Sequence, residues 1–205
     1  MGKDAKRRAH LKPVNRWIEE QIDRAAVGTL CFARPTGPRS WYSLPMHLLV
    51  ISIGKLKQGP ERELAERYRE RFDDIGRKLG FRSLTIHEIP ESRARDTATR
   101  MAEEGAAIAA LIPDKAILVT LDERGASIDS AGFARHVGKA RDESVSHYVF
   151  VIGGADGLSP ELRRKAKLSI AFGAATWPHQ MVRVMLLEQI YRAATILAGH
   201  PYHRV

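Results

Sequence analysis

The chain of 205 residues has one cysteine, Cys31, so it can form no internal disulfide. That suits a reducing compartment, and a cytoplasmic protein is expected. No apolar run approaches the roughly 20 residues of a membrane helix. The uninterrupted apolar stretch of a secretory signal is missing as well, so no membrane partner is expected. Glycine and proline are not in excess, which argues against low complexity. Several catalytic signatures are absent: the Gly-x-Ser-x-Gly elbow of hydrolases, the Gly-x-Gly-x-x-Gly fingerprint, and a phosphate loop ending in Gly-Lys-Ser/Thr. His200 and His203 have the spacing of metal ligands, but no cysteine or acidic cluster accompanies them, so no metal site is expected.

Hydrophobic residues make up 44% of the chain, enough for one domain with a sizeable core. The formal net charge of +9 suits an anionic partner such as nucleic acid or a membrane surface, though solubility alone also explains it. The surplus is uneven. Residues 1–45 hold nine Lys/Arg against four Asp/Glu, and the remainder holds 24 against 20. Within 1–45, Val14 to Ala26 reads as a short amphipathic helix, and Arg34-Pro-Thr-Gly-Pro-Arg39 as a breaker-rich linker. A targeting leader, an RNA-binding arm and upstream sequence from too early a start codon compete for this extension. The last is favoured, because a complete domain begins at Met46.

From Met46, strands alternate with helices. Strands are expected at 47–53, 84–89, 116–121, 148–152 and 168–172. Helices are expected at about 61–79, 93–112, 130–139, from Ser159-Pro160, and from His179 to Ala198. This order implies an α/β fold with a mainly parallel sheet over 46–205. The final helix is apolar on more than one face. A second subunit is a natural cover for it, and a central helix within one subunit is the alternative. The adjacent pairs Asp73-Asp74 and Glu103-Glu104 read as solvated faces.

Three segments at strand ends can carry chemistry, since parallel sheets bind ligands beyond their carboxyl ends. They are Thr120-Leu121-Asp122, the glycine turn Ile152–Gly157, and Phe172–His179, which lacks charge over Phe172–Pro178. Glycines at 153, 154 and 157 permit close approach to a ligand, or simply a tight turn. Gly173, Ala174 and Ala175 leave main-chain groups open to an adenine edge. Trp177 borders such a pocket or belongs to the core. The tail Gly199–Arg204 collects two histidines, a tyrosine and an arginine, which suggests contact with an anionic or aromatic substrate, or a chain end docked on its own domain.

These motifs, taken in order, resemble the RlmH family of SPOUT methyltransferases. The resemblance rests on Met46–Gly54 with Lys55-Leu56-Lys57, Thr120-Leu121-Asp122, Val151–Leu158, Leu168–Arg183, Glu188–Ala193 and Pro201-Tyr202-His203, and spans 46–205. It implies an α/β SPOUT domain with a C-terminal trefoil knot, a homodimer, and methylation of N3 of a pseudouridine in 23S rRNA on the assembled ribosome. By the resemblance, S-adenosylmethionine is held by Leu121, Gly153, Phe172, Gly173, Ala174, Ala175, Thr176 and Trp177. His203 is expected to accept the N3 proton, Tyr202 or Arg183 to orient the base, and Arg183 and Arg204 to hold phosphates. Two positions depart from the pattern: Asp156 stands where Glu or Asn is more familiar, and Trp177 where a smaller Leu or Phe is. Ribose 2′-O methylation and a non-catalytic ribosome-associated factor are the alternatives.

Overall fold

A computed structural model describes residues 45–203. The expected helix at Val14–Ala26, the whole reading of the N-terminal extension up to residue 44, and Arg204 lie outside the described residues. The elements run β1 (Met46–Ile53), α1 (Pro60–Gly76), a 3-10 turn (Arg77–Leu79), β2 (Phe81–Ile89), α2 (Thr97–Ala109), β3 (Ile117–Ala126), α3 (Ser130–Asp142), β4 (His147–Ile152), α4 (Pro160–Lys165), β5 (Leu168–Ile170) and α5 (His179–Ala198). All five strands and all five helices stand where the alternating pattern places them.

Local chemistry accounts for the boundaries. Pro60 opens α1, where its missing N–H costs nothing. The side chains of Asp96, Asp129 and Ser159 cap α2, α3 and α4 by accepting from Thr99 N, Gly132 N and Leu162 N. α5 ends at Gly199, whose φ of +65° is readily adopted without a Cβ.

The strands form one sheet in the order β2-β1-β4-β3-β5, with every neighbouring pair parallel. Both faces are covered, as a parallel sheet requires. In β1, Leu48 and Val50 join a cluster with Phe72 of α1, Phe133 and Val137 of α3, and Leu186, Leu187 and Ile190 of α5. Leu49, Ile51 and Ile53 point the other way, toward Ile108 of α2 and Leu162 of α4. The result is three layers. α5 packs against α1 and α3 over the sheet, so most of its apolar surface is covered within the chain. Among its large apolar residues, Met181 stays 37% exposed.

Several boundaries differ from expectation: β2 starts at Phe81 rather than Leu84, α3 runs on to Asp142, β5 stops at Ile170 rather than Phe172, and β3 and α2 differ beside the site. β3 runs on to Ala126 through an irregular stretch after Leu121, and Ala126 pairs with Ile170 of β5. There a side chain on Gly125 would lie 2.6 Å from the Ile170 backbone, so glycine permits the passage. α2 begins at Thr97 rather than near Arg93, because the preceding loop is held from outside the helix, as described below.

Candidate functional site

Because the strands are parallel, the carboxyl ends of β3, β4 and β5 open on one edge, and there they enclose a cavity of about 570 Å³. Its walls come from the three segments singled out in the sequence. Of the eight residues assigned to the cofactor, Leu121, Gly153, Phe172, Gly173, Ala175, Thr176 and Trp177 line it, and Ala174 does not. A cavity of this size falls in the usual range for small-molecule sites.

The glycine turn is shaped by close packing. Gly157 has a φ of +83°, and its N–H donates to the Gly154 carbonyl at 3.0 Å. A Cβ on Gly153 would lie 2.8 Å from the Gly157 carbonyl carbon, and one on Gly154 would lie 2.9 Å from Glu104 Oε2. Glu104 is therefore not part of a solvated face. It is buried behind the turn, where its Oε1 accepts from Ser92 N at 3.0 Å.

Arg100 completes this backing. Its guanidinium donates to the Ala94 and Arg95 carbonyls and to Asp156 at 2.7 Å, tying the loop before α2 to the glycine turn. The hydrogen bond from Arg100 holds the Asp156 carboxyl below the usual carboxylate range. On the opposite wall, Arg163 of α4 lies 2.9 Å from the mostly buried Asp122. The Arg163 Nε–H does not point along that contact, which is one of charge rather than a hydrogen bond.

Residues Gly173–Pro178 are exposed along the rim. Trp177 is 45% exposed, so it is not core. Its Nε1–H donates to the Phe172 carbonyl at 3.1 Å, and Thr176 donates to Glu123 at 3.3 Å, which fastens the segment at both sides. Gly173, with a φ of +95°, has no atom within 4 Å of where a side chain would begin.

The three residues expected to act on the acceptor lie elsewhere. None of Arg183, Tyr202 and His203 lines this cavity. Arg183 is 1% exposed. Its guanidinium donates to Glu88 and, at 2.8 Å, to the Gly54 carbonyl, beside a separate cavity of about 170 Å³. Burial lowers its pKa, with Glu88 opposing. A guanidinium enclosed in this way braces α5 against the end of β1 and, in this arrangement, cannot meet a phosphate.

Tyr202 docks on α5. Its hydroxyl donates to Glu188 at 3.2 Å, its ring lies 4.8 Å from that of Tyr191, and the Arg192 guanidinium sits 4.9 Å over it. Burial, and next the nearby Glu188 charge, push the phenol up to about 12, so it stays protonated at neutral pH.

His179, the first residue of α5, does line the cavity. The third candidate segment of the sequence closes on it, with no role assigned to it. Glu104 and Arg100 were equally unmarked, because nothing in their helical spacing shows that α2 turns them toward a strand loop.

A family model described as "Predicted SPOUT methyltransferase" matches residues 46–203. Two curated relatives, from Rhodopseudomonas palustris and a Bradyrhizobium species, both carry the name ribosomal RNA large subunit methyltransferase H. Each is 80% identical over 159 residues, covering 78% of this chain and 99% and 98% of the relatives respectively. The crystal structure of the SpoU methyltransferase AviRb from Streptomyces viridochromogenes in complex with AdoMet aligns at TM-score 0.35 and 16% identity. It covers 76% of this chain and 62% of that one, a likeness too distant to carry an argument. With a family model matching most of its length and 80% identical relatives covered almost end to end, the chain belongs to the SPOUT methyltransferase family.

Proposed function

We propose that this chain methylates N3 of a pseudouridine in large-subunit (23S) ribosomal RNA, on the assembled ribosome, with S-adenosylmethionine as methyl donor. One observation carries the reading: the glycine turn at 153–157 and the uncharged segment at 172–178 wall the same cavity. The names of the relatives supply the substrate class.

The cavity suits the donor. Leu121, Ile170 and Phe172 offer apolar surface for an aromatic base. The exposed backbone of Gly173–Thr176 offers N–H and C=O groups that can read an adenine edge, with the space beside Gly173 left open by its missing side chain. Bound S-adenosylmethionine supplies a methyl group made electrophilic by a positively charged sulfur. The protein's own part is to hold the walls rigid and bring the acceptor nitrogen into line. The Trp177–Phe172 bond fastens the rim, and Arg100 and Glu104 back the glycine turn.

The trefoil knot, the homodimer and the tail belong to the same reading. Tyr202 and His203 do not line their own chain's cavity, so in a homodimer they serve the acceptor RNA at the partner's cavity. Arg183 acts through α5, as a positioning residue. A cytoplasmic location follows from the ribosomal substrate.

Methyl-labelled S-adenosylmethionine incubated with unmodified ribosomes tests the proposal. Label is expected on one pseudouridine of the large-subunit RNA, at N3 by mass mapping. Label on a ribose oxygen would replace this specificity with another. No cofactor binding by calorimetry would leave only a ribosome-associated factor. Sedimentation at about twice the 22.9 kDa chain mass tests the homodimer.

A further inference from the structure

An N3 acceptor carries a proton that must leave as the new bond forms, and the residues lining the chain's own cavity offer few groups able to take it, which leaves a tail docked from a second copy to hold the acceptor. Its titratable or charged lining residues are Asp122, Glu123, Arg124, Asp156, Arg163 and His179. Asp122 lies against Arg163, Asp156 is bonded to Arg100, and Glu123 accepts from Thr176. Arginine does not accept a proton in a protein. Imidazole is the side chain that ordinarily exchanges protons near neutrality.

His179 is held for such a role. Its Nε2 lies 3.8 Å from Glu91 Oε1, on the loop that follows β2. Beneath it, Gly54 turns at a φ of +83°, and a Cβ there would sit 2.9 Å from the same nitrogen. The first turn of α5 is fixed from behind, since Arg183 donates to the Gly54 carbonyl. Glu91 itself stands on the loop pinned by Ser92 and Arg100. The imidazole is thus half-buried on the cavity wall, between a glycine that gives it room and a carboxylate that faces it.

We infer that His179 accepts the N3 proton during methyl transfer and that the facing Glu91 charge stabilises the imidazolium that forms. The inference rests on the methyltransferase reading above. The N3 electron pair forms the bond to the methyl group, the sulfur–methyl pair returns to sulfur, and the N3 proton passes to His179. Glu91 then faces an imidazolium and stabilises it, as a carboxylate behind a catalytic histidine does.

The test uses the full chain and two substitutions, His179→Gln and Glu91→Gln. Single-turnover transfer to unmodified ribosomes is expected to fall about 100-fold or more in His179→Gln, in line with the contribution of a general base. Cofactor affinity by calorimetry is expected to stay within about threefold. The acid limb of the wild-type pH–rate profile should vanish in that variant. Glu91→Gln should slow transfer about tenfold alone and add nothing in the His179→Gln background, because the two act as one unit.

A measurement without turnover accompanies these. In the wild-type chain loaded with S-adenosylhomocysteine, hydrogen–deuterium exchange at the His179 imidazole, read by mass spectrometry, should slow when unmodified ribosomes are added. A wild-type rate in His179→Gln, additive losses, or an unchanged His179 exchange rate on ribosome binding overturns the inference while the function stands. An active-folded wild-type chain that transfers no methyl group overturns the function and the inference with it.

Discussion

Charged side chains decide more of this site than their exposure in an average protein suggests. Arg183 is the clearest case. An arginine on a helix ordinarily reaches solvent, which made a phosphate contact a reasonable expectation, yet here it is enclosed near the start of α5 and spans to Glu88 and Gly54. Arg183→Met is expected to destabilise the fold by about 3 kcal/mol, the low end for breaking a buried pair because Arg62 remains on Glu88, and urea unfolding measures it. Tyr202 offers a second test at this scale. Its phenol is raised from 10.0 to about 12, so the stability it contributes is complete below pH 10 and lost as pH rises through 12. Urea midpoints followed through that window should fall less steeply in Tyr202→Phe than in wild type. Tyr148, raised further by burial, loses stability in the same direction in both chains.

Elements with strong periodicity were legible in advance, and those shaped by distant partners were not. β1 and β4 are continuous apolar runs, and α5 is bounded by Pro178 and Gly199, so their limits followed from residue type. β3 was read too short. Asp122-Glu-Arg-Gly-Ala126 looks like loop, and it is held to β5 across an irregularity that Gly125 alone allows. The start of α2 was read too early, because Ser92–Arg95 is captured by Glu104 and Arg100 in an extended path. The three segments that wall the cavity were legible as candidates because small residues and missing charge mark them, whereas their assignment to the cofactor follows from the family resemblance. The backing of the turn was hidden, since a buried Glu104 beside an exposed Glu103 has no signature in the sequence. Trp177→Ala tests the rim segment as an element. Losing one neutral hydrogen bond there should weaken cofactor affinity about tenfold, near 1.4 kcal/mol. The unfolding midpoint should stay unchanged, because the side chain is 45% exposed.

For the whole molecule, topology assembles what the chain separates. Residues near 121, 153 and 172 meet because β3, β4 and β5 lie side by side and point the same way. Tyr202 of the tail docks on α5 beside Glu188 and Tyr191, and neither it nor His203 lines the chain's own cavity. Co-expressing a chain that ends at Gly199 with a full-length Gly153→Val chain separates two geometries. If each tail serves the partner's cavity, random pairing restores about a quarter of wild-type methylation, since half the dimers are mixed and each has one intact pairing. If each tail serves its own chain, none is restored. Glycine at 153 suits the disabling change, because Gly157 backbone lies 2.8 Å from any added side chain.

The indole that clasps the rim is half open to water and bonded to the very loop it closes. Its emission colour depends on how wet the ring is, so seating a nucleoside beside it should change the light the protein gives back. Trp17 and Trp41, the remaining indoles, contribute a background that Trp177→Ala would isolate. On the proposed function, the Trp177 indole is an optical gauge of cofactor occupancy, readable by titration without any label.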